Sequence, residues 1–184
     1  EFYGFIGWKE LSETENFIVV YPSSWKYKIT ENGEEQIMTK WNITPDANWK
    51  FQEGEKGLDD IKFLRKVIDE MKANYTINPK RIYLNGFSNG GAMAARCAIE
   101  LSDVLAAVAS NASAFYLDTS YVPKRNLPVL FEIGNMDYGP GNVGPEAPMS
   151  LFDSLISTPK KKKKNGSLNR IANNYQKNFN LHSE

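Results

Sequence analysis

The sequence feature that most constrains the fold is the pentapeptide from Gly86 to Gly90, which reads GFSNG. It lies between an apolar run from Arg81 to Asn85, a predicted strand, and an alanine-rich predicted helix. In that context a G-x-S-x-G sequence predicts a sharp strand-to-helix turn that lifts a hydroxyl clear of the backbone. The two outer glycines leave room for the turn because they carry no side chains. Ser88 is therefore the candidate nucleophile, and the alternative is an ordinary capping serine in a tight glycine-rich turn.

Helical and strand periods alternate along the rest of the chain. Phe17 to Tyr21 is a short apolar run stopped by Pro22, which predicts a strand buried on both faces of a parallel sheet. Leu58 to Met71 carries apolar residues at helical spacing. A nearly all-apolar helix is expected over 92–101, and further strands are expected over 104–109 and 128–134. This alternation predicts an α/β fold with a doubly wound, mostly parallel sheet and ligands at the carboxyl ends of its strands.

Residues 22–57 are expected to form a long, irregular and polar loop. The loop contains large aromatic side chains, namely Trp25, Tyr27, Trp41 and Trp49. A loop of this length inside a compact domain is usually functional. An aromatic ring also offers both a stacking face and a polar edge to a flat acyl group or a sugar ring, although structural aromatics that close a core would explain the same pattern.

Composition excludes several classes of partner. The chain has 184 residues, 41% of them hydrophobic and 24% charged, as expected for a single soluble globular domain spanning 1–184. Its 22 basic residues balance its 22 acidic residues, so no global field favours nucleic acid or an anionic membrane. No stretch approaches the ~20 apolar residues of a membrane span. With one cysteine and one histidine, we expect no internal disulfide and no metal site, and Cys97 is expected to be a small buried residue.

Asp137 is the candidate acid of a catalytic triad. It comes three residues after Gly134, which closes a predicted strand, and the order serine then acid is that of α/β-hydrolase triads. A carboxylate at this point would hold an imidazole in the correct tautomer and stabilise the imidazolium formed during catalysis. The alternative is an aspartate that begins a glycine-rich turn. Asp118 and Asp153 are the competing candidates for the acid.

The base of such a triad has no clear candidate in the sequence. His182 is the sole histidine, and it follows Ile171, Tyr175 and Phe179, whose spacing predicts one amphipathic helix. In this architecture the triad histidine follows a further strand, and no strand is predicted between that helix and His182. We therefore expect a surface residue at a helix C-terminus, with its ring outside the ~2.6–3.2 Å reach of Ser88 that general-base catalysis requires.

Two stretches resemble a known enzyme family, one from Gly7 to Trp25 and one from Gly57 to Ala114, with NPKRIYLNGFSNGG at 78–91 as the most specific part. They are similar to the secreted esterase family that includes polyhydroxybutyrate depolymerase-like enzymes, feruloyl esterases and acetylxylan esterases of the carbohydrate esterase type. The resemblance covers roughly residues 5 to 157. It implies an α/β-hydrolase fold, secretion, and a serine esterase that needs neither metal nor cofactor. The implied substrate is a small ester, or an ester linked to a polysaccharide or polyester.

The resemblance also implies roles for individual residues. Ser88 takes the position of the nucleophile, the backbone N–H of Asn89 that of one oxyanion donor, and Asp137 that of the acid. Trp41 and Trp49 match the tryptophan-rich loop that lines the acyl or sugar subsite of the family.

The sequence departs from the family at both ends. The family begins with a strand ending in His-Gly and ends with a Gly-His segment that carries the base, and neither occurs here. We therefore expect the chain to be the central part of such an esterase. The rival readings are a non-catalytic binding module on a hydrolase scaffold and a serine peptidase on the same fold. Residues 158–167, with five lysines from Lys160 to Lys164, are expected to form an exposed loop without an assigned role.

Overall fold

The structure is a computed structural model, and it describes residues 7–43, 49–113 and 122–132. These residues form three helices and six strands. In chain order the elements are α1 (Trp8–Glu15), β1 (Lys26–Glu31), β2 (Glu34–Thr39), β3 (Trp49–Phe51), α2 (Asp60–Asn74), β4 (Tyr83–Phe87), α3 (Asn89–Glu100), β5 (Ala107–Asn111) and β6 (Val129–Glu132).

A parallel sheet with strand order β4-β5-β6 forms the centre of the described fold. Tyr83 pairs with Ala107, and Phe87 pairs with Asn111, so the carboxyl ends of β4 and β5 meet at one edge. The helix α3 connects these two strands and packs on the sheet. The α/β class is confirmed, although β4 and β5 end two residues later than the sequence predicted.

A second, antiparallel sheet corrects the expectation of an irregular loop over residues 22–57. Its strand order is β2-β1-β3, and alternate residues of β1, Tyr27 and Ile29, are buried. The two-residue turn Asn32-Gly33 joins β1 to β2, and both residues have positive φ, at 53° and 84°. Asn-Gly is the preferred sequence for such a hairpin turn, so the signal was present in the sequence.

The expectation of a buried strand from Phe17 to Tyr21 is also wrong. The structure assigns no strand there, and the side chains of Phe17 and Ile18 are 38% and 51% exposed. A strand forms by hydrogen bonding to a neighbouring strand, and none of the strands in the described ranges pairs with this run. Apolar composition alone was therefore not enough to make a strand.

The main core is built around α3, as its apolar sequence predicted. Met93, Cys97 and Ile99 are fully buried, and Leu64 of α2 joins the same cluster. Burial raises the pKa of the Cys97 thiol far above its ordinary value, so the residue behaves as a small apolar side chain. None of the helices within the described ranges combines the length and apolar character needed to cross a membrane.

Candidate active site

Ser88 occupies a strained turn between β4 and α3. Its backbone angles are φ 53° and ψ −121°, which a residue with a side chain adopts only at a cost of about 1–3 kcal/mol. The residue is exposed, and its N–H donates a 2.9 Å hydrogen bond to the carbonyl oxygen of Asn111 at the end of β5. The turn has the strand-turn-helix geometry that the sequence predicted, and the nucleophilic role of Ser88 remains a proposal.

The close packing of the turn depends on Gly86 and Gly91. A Cβ atom on Gly86 would collide with the carbonyl group of Gly90, which is backbone and cannot move aside. A Cβ atom on Gly91 would lie 2.6 Å from the carbonyl oxygen of Asn111, so this glycine lets α3 approach β5. At Gly90 a Cβ atom would make only an ordinary 3.8 Å contact with Nε1 of Trp41. Gly86 is therefore sterically required, as predicted, whereas the predicted steric need for Gly90 is wrong.

We expect Gly86→Ala to lower the free energy of unfolding by about 3 kcal/mol, because the new methyl group forces backbone atoms apart. The matched control is Gly90→Ala, four residues later in the same turn, which should change it by less than about 1 kcal/mol. Urea unfolding of both variants measures the difference. Equal destabilisation by the two substitutions would contradict the packing described for the turn.

Asn111 also connects β5 to the turn, a role that was not predicted from the sequence. Its side-chain Nδ2 donates to the carbonyl oxygen of Gly86 at 2.9 Å and to the side-chain oxygen of Asn85. Its position was the sequence signal for such a role. Asn111 ends a parallel strand, and α/β folds form their sites at the carboxyl ends of these strands.

The N-terminus of α3 presents its backbone N–H groups beside Ser88. The first hydrogen bond within the helix runs from the N–H of Ala92 to the carbonyl oxygen of Ser88, at 3.0 Å. The N–H of Asn89 therefore has no acceptor within the helix and lies at the positive end of the helix dipole. Both features would stabilise a negative charge that develops next to Ser88.

The structure brings Trp41 to the same turn. The side-chain oxygen of Asn89 accepts a 2.6 Å hydrogen bond from the Trp41 N–H, and its Nδ2 donates to the Trp41 carbonyl oxygen at 3.3 Å. The Trp41 ring stacks on Phe63 with the centroids 6.4 Å apart. A substrate-binding role for Trp41 remains a proposal.

Trp49 lies elsewhere and has a structural role. Its side chain is only 3% exposed and packs with Tyr27, Ile29 and Phe51 in the small core of the antiparallel sheet. Its ring meets that of Phe51 edge to face, with the centroids 4.9 Å apart. This burial argues against the expectation that Trp49 lines a substrate subsite, and that role stays a prediction.

The other candidates lie outside the described residues. They are Asp137, its competitors Asp118 and Asp153, the single histidine His182, and the lysines Lys160 to Lys164. Within the described ranges the site therefore consists of Ser88, the N-terminus of α3 and Trp41.

Several curated proteins are similar to this chain over about half its length. A bifunctional acetylxylan esterase/xylanase of Neocallimastix patriciarum is 31% identical over 102 residues, which are 55% of this chain and 12% of that protein. A poly(3-hydroxyalkanoate) depolymerase C of Paucimonas lemoignei is 32% identical over 112 residues, covering 60% and 24%. Feruloyl esterase B of Piromyces equi is 36% identical over 103 residues, covering 53% and 17%.

The matched segments thus span at most about a quarter of these relatives. No solved structure gives a significant match to the chain. The family model that matches covers residues 37–142, more than half of the chain and all of the turn around Ser88, and it confirms the α/β-hydrolase fold that the sequence resemblance implied. The chain therefore belongs to the prolyl oligopeptidase family.

Proposed function

We propose that this chain is part of a serine esterase that hydrolyses carboxylic esters through an acyl-enzyme on Ser88. The observation that carries the proposal is the exposed serine held at positive φ directly before the N-terminus of α3. Such strain is retained at functional sites because it presents the reacting group. The names of the relatives add support, since they describe an acetylxylan esterase, a polyhydroxyalkanoate depolymerase and a feruloyl esterase.

In the proposed reaction the Ser88 oxygen attacks the ester carbonyl carbon while a histidine takes the hydroxyl proton. The negative charge that develops on the carbonyl oxygen is stabilised by the Asn89 N–H and the N-terminus of α3. Collapse of this intermediate breaks the ester C–O bond, and the leaving alcohol receives the proton from the imidazolium. Water then hydrolyses the acyl-enzyme by the same steps. Asp137 is the proposed acid that orients the histidine ring, and the scheme uses no metal or cofactor.

The proposed substrates are feruloyl or acetyl esters of plant polysaccharide, or hydroxyalkanoate esters. Trp41 beside the turn supports a flat acyl group or a sugar ring, because an indole offers a broad stacking surface. Secretion belongs to the same proposal, because plant polysaccharide lies outside the cell that would make the enzyme.

A serine peptidase is the second candidate, favoured by the family model, which is that of prolyl oligopeptidases. The two activities share the nucleophile and the oxyanion site, so the fold does not separate them. A binding module that has lost catalysis is the third candidate.

A substrate panel separates the three. With the full-length protein we expect kcat/KM for 4-nitrophenyl acetate, 4-nitrophenyl ferulate or a 3-hydroxybutyrate dimer to exceed that for a prolyl 4-nitroanilide peptide by at least about 10²-fold. Preference for the peptide would establish the peptidase instead. Hydrolysis of none, with no labelling by a fluorophosphonate, would establish the binding module.

A further inference from the structure

The backbone of Trp41 and Asn42 is held by side chains from two helices, an arrangement we call the clamp. Its three side chains are Asn89 and Arg96 of α3 and Asp60 of α2. Asn89 binds both backbone groups of Trp41, at 2.6 and 3.3 Å. Asp60 Oδ2 accepts a 2.6 Å hydrogen bond from the Asn42 N–H, and Arg96 Nη1 donates to the Asn42 carbonyl oxygen at 2.7 Å.

The charged members of the clamp are themselves fixed. Asp60 is only 4% exposed, and its burial raises the pKa of its carboxyl group while the Asn42 N–H and the Arg96 charge oppose that rise. Arg96 forms an ion pair with Glu100 at 2.6 Å, one turn further along α3. Hydrogen bonds to ionised groups are the stronger ones, so Asn42 is anchored to both helices.

The clamp supplies hydrogen-bond partners to backbone groups that lie outside any helix or strand. Trp41 and Asn42 follow β2 and belong to no helix or strand, and none of the strands in the described part of the chain pairs with them. Backbone N–H and C=O groups removed from water need such partners. Here the partners are side chains whose own backbones lie in α2 and α3, so the position of Trp41 is set by the helix that begins at the Ser88 turn.

The clamp places the Trp41 indole over the first turn of α3. Its Nε1 lies 3.8 Å from where a Cβ atom of Gly90 would be, its ring stacks on Phe63, and the half-buried side chain also packs against the main core. Asn89 directly follows Ser88 in sequence. One residue therefore contributes a backbone N–H beside the nucleophile and a side chain that holds the neighbouring indole.

We propose that Asn89 is a positioning residue whose side-chain amide fixes Trp41 as a rigid wall beside Ser88, and that this wall favours aromatic over acetyl esters. The inference rests on the proposed esterase function and deepens it. A wall that is fixed before substrate arrives costs less ordering on binding, and a flat acyl group gains more from stacking on it than an acetyl group does. Asn89 acts here through Trp41, separately from its backbone N–H.

The test compares Asn89→Leu, Asn89→Asp and Trp41→Ala, with Asn74→Leu as the control. Asn74 also donates from its amide to a backbone oxygen, that of Glu70 at 2.8 Å, but it is exposed at the end of α2. The first measurement is hydrogen exchange at the Trp41 N–H. We expect exchange to be about tenfold faster in Asn89→Leu, unchanged in Asn74→Leu, and still slow in Asn89→Asp, which keeps the acceptor of the shorter hydrogen bond.

The second measurement is the ratio of kcat/KM for 4-nitrophenyl ferulate to that for 4-nitrophenyl acetate, which share a leaving group. We expect this ratio to fall about tenfold in Asn89→Leu and in Trp41→Ala, and no further in the double variant, because both changes remove the same wall. In Asn89→Asp the added charge should lower kcat for both esters, by repelling the oxyanion, and leave their ratio close to that of the unmodified protein.

The outcomes separate this inference from the proposed function. Unchanged Trp41 exchange in Asn89→Leu, or additive losses in the double variant, would overturn the positioning role even if both esters are hydrolysed. If the ferulate-to-acetate ratio stays constant in Asn89→Leu while the Trp41 N–H exchanges faster, the proposed selectivity for aromatic esters is wrong. If the unmodified protein hydrolyses neither ester, the esterase function and the selectivity fail together, and the exchange measurement alone decides whether Asn89 holds Trp41.

Discussion

Ser88→Ala is expected to abolish covalent labelling by a fluorophosphonate and to lower kcat for 4-nitrophenyl acetate by about 10⁶-fold in the full-length protein. The physical reason is that the acyl-enzyme needs the serine oxygen, whereas the N-terminus of α3 can only stabilise charge once a nucleophile has attacked. Intact-mass spectrometry after labelling measures the first effect, and steady-state hydrolysis measures the second.

Alanine at position 88 removes only the oxygen and keeps the backbone strain, so the fold should be as stable as before. Ser23→Ala is the matched control, because the Ser23 hydroxyl is also exposed and donates to the neighbouring carbonyl oxygen of Ser24 at 3.3 Å. It should be labelled like the unmodified protein. Labelling that persists in Ser88→Ala and disappears in another serine variant would move the nucleophile away from this turn.

The parallel sheet could be predicted because its signals are local. The apolar run before Ser88 and the nearly all-apolar helix after it both lie where the structure has β4 and α3. The antiparallel sheet could not be predicted from apolar periodicity, because its strands mix charged and apolar residues. Its clearest local signal is the Asn32-Gly33 turn. For the run from Phe17 to Tyr21 a strand was predicted that does not form. Strand formation depends on a neighbouring strand, and the sequence of one apolar run does not show whether that neighbour exists.

The candidate site also has one part with local sequence signals and one part that depends on residues distant in sequence. The turn at Ser88 is encoded within five residues, so its geometry could be predicted. The clamp joins positions that are 18, 48 and 54 residues apart in sequence. The residues around Asn89 therefore give no indication that its partner is Trp41. Trp41 and Trp49 looked alike as sequence. In the structure Trp41 is half-buried against the main core beside the turn, whereas Trp49 is buried in the small core of the antiparallel sheet.

Asp137→Asn is expected to lower kcat by about 10⁴-fold in the full-length protein while the fold stays intact. An amide in place of the carboxylate favours the wrong imidazole tautomer and no longer stabilises the imidazolium, so the histidine cannot take the proton from Ser88. The effect should appear in kcat more than in KM, because the charge it stabilises forms only as the reaction proceeds. Hydrolysis of 4-nitrophenyl acetate measures it, with thermal unfolding as the check on folding.

Asp118→Asn and Asp153→Asn are the matched controls, because each makes the same chemical change at a competing position. If Asp137 orients the histidine, both controls should stay within about threefold of the unmodified kcat, as substitutions remote from the reacting groups do. A loss below tenfold in Asp137→Asn together with a large loss in Asp118→Asn would assign the acid to the earlier position. Because the acid works only through a histidine, a large loss in either variant also requires that the full-length protein contain that base within reach of Ser88.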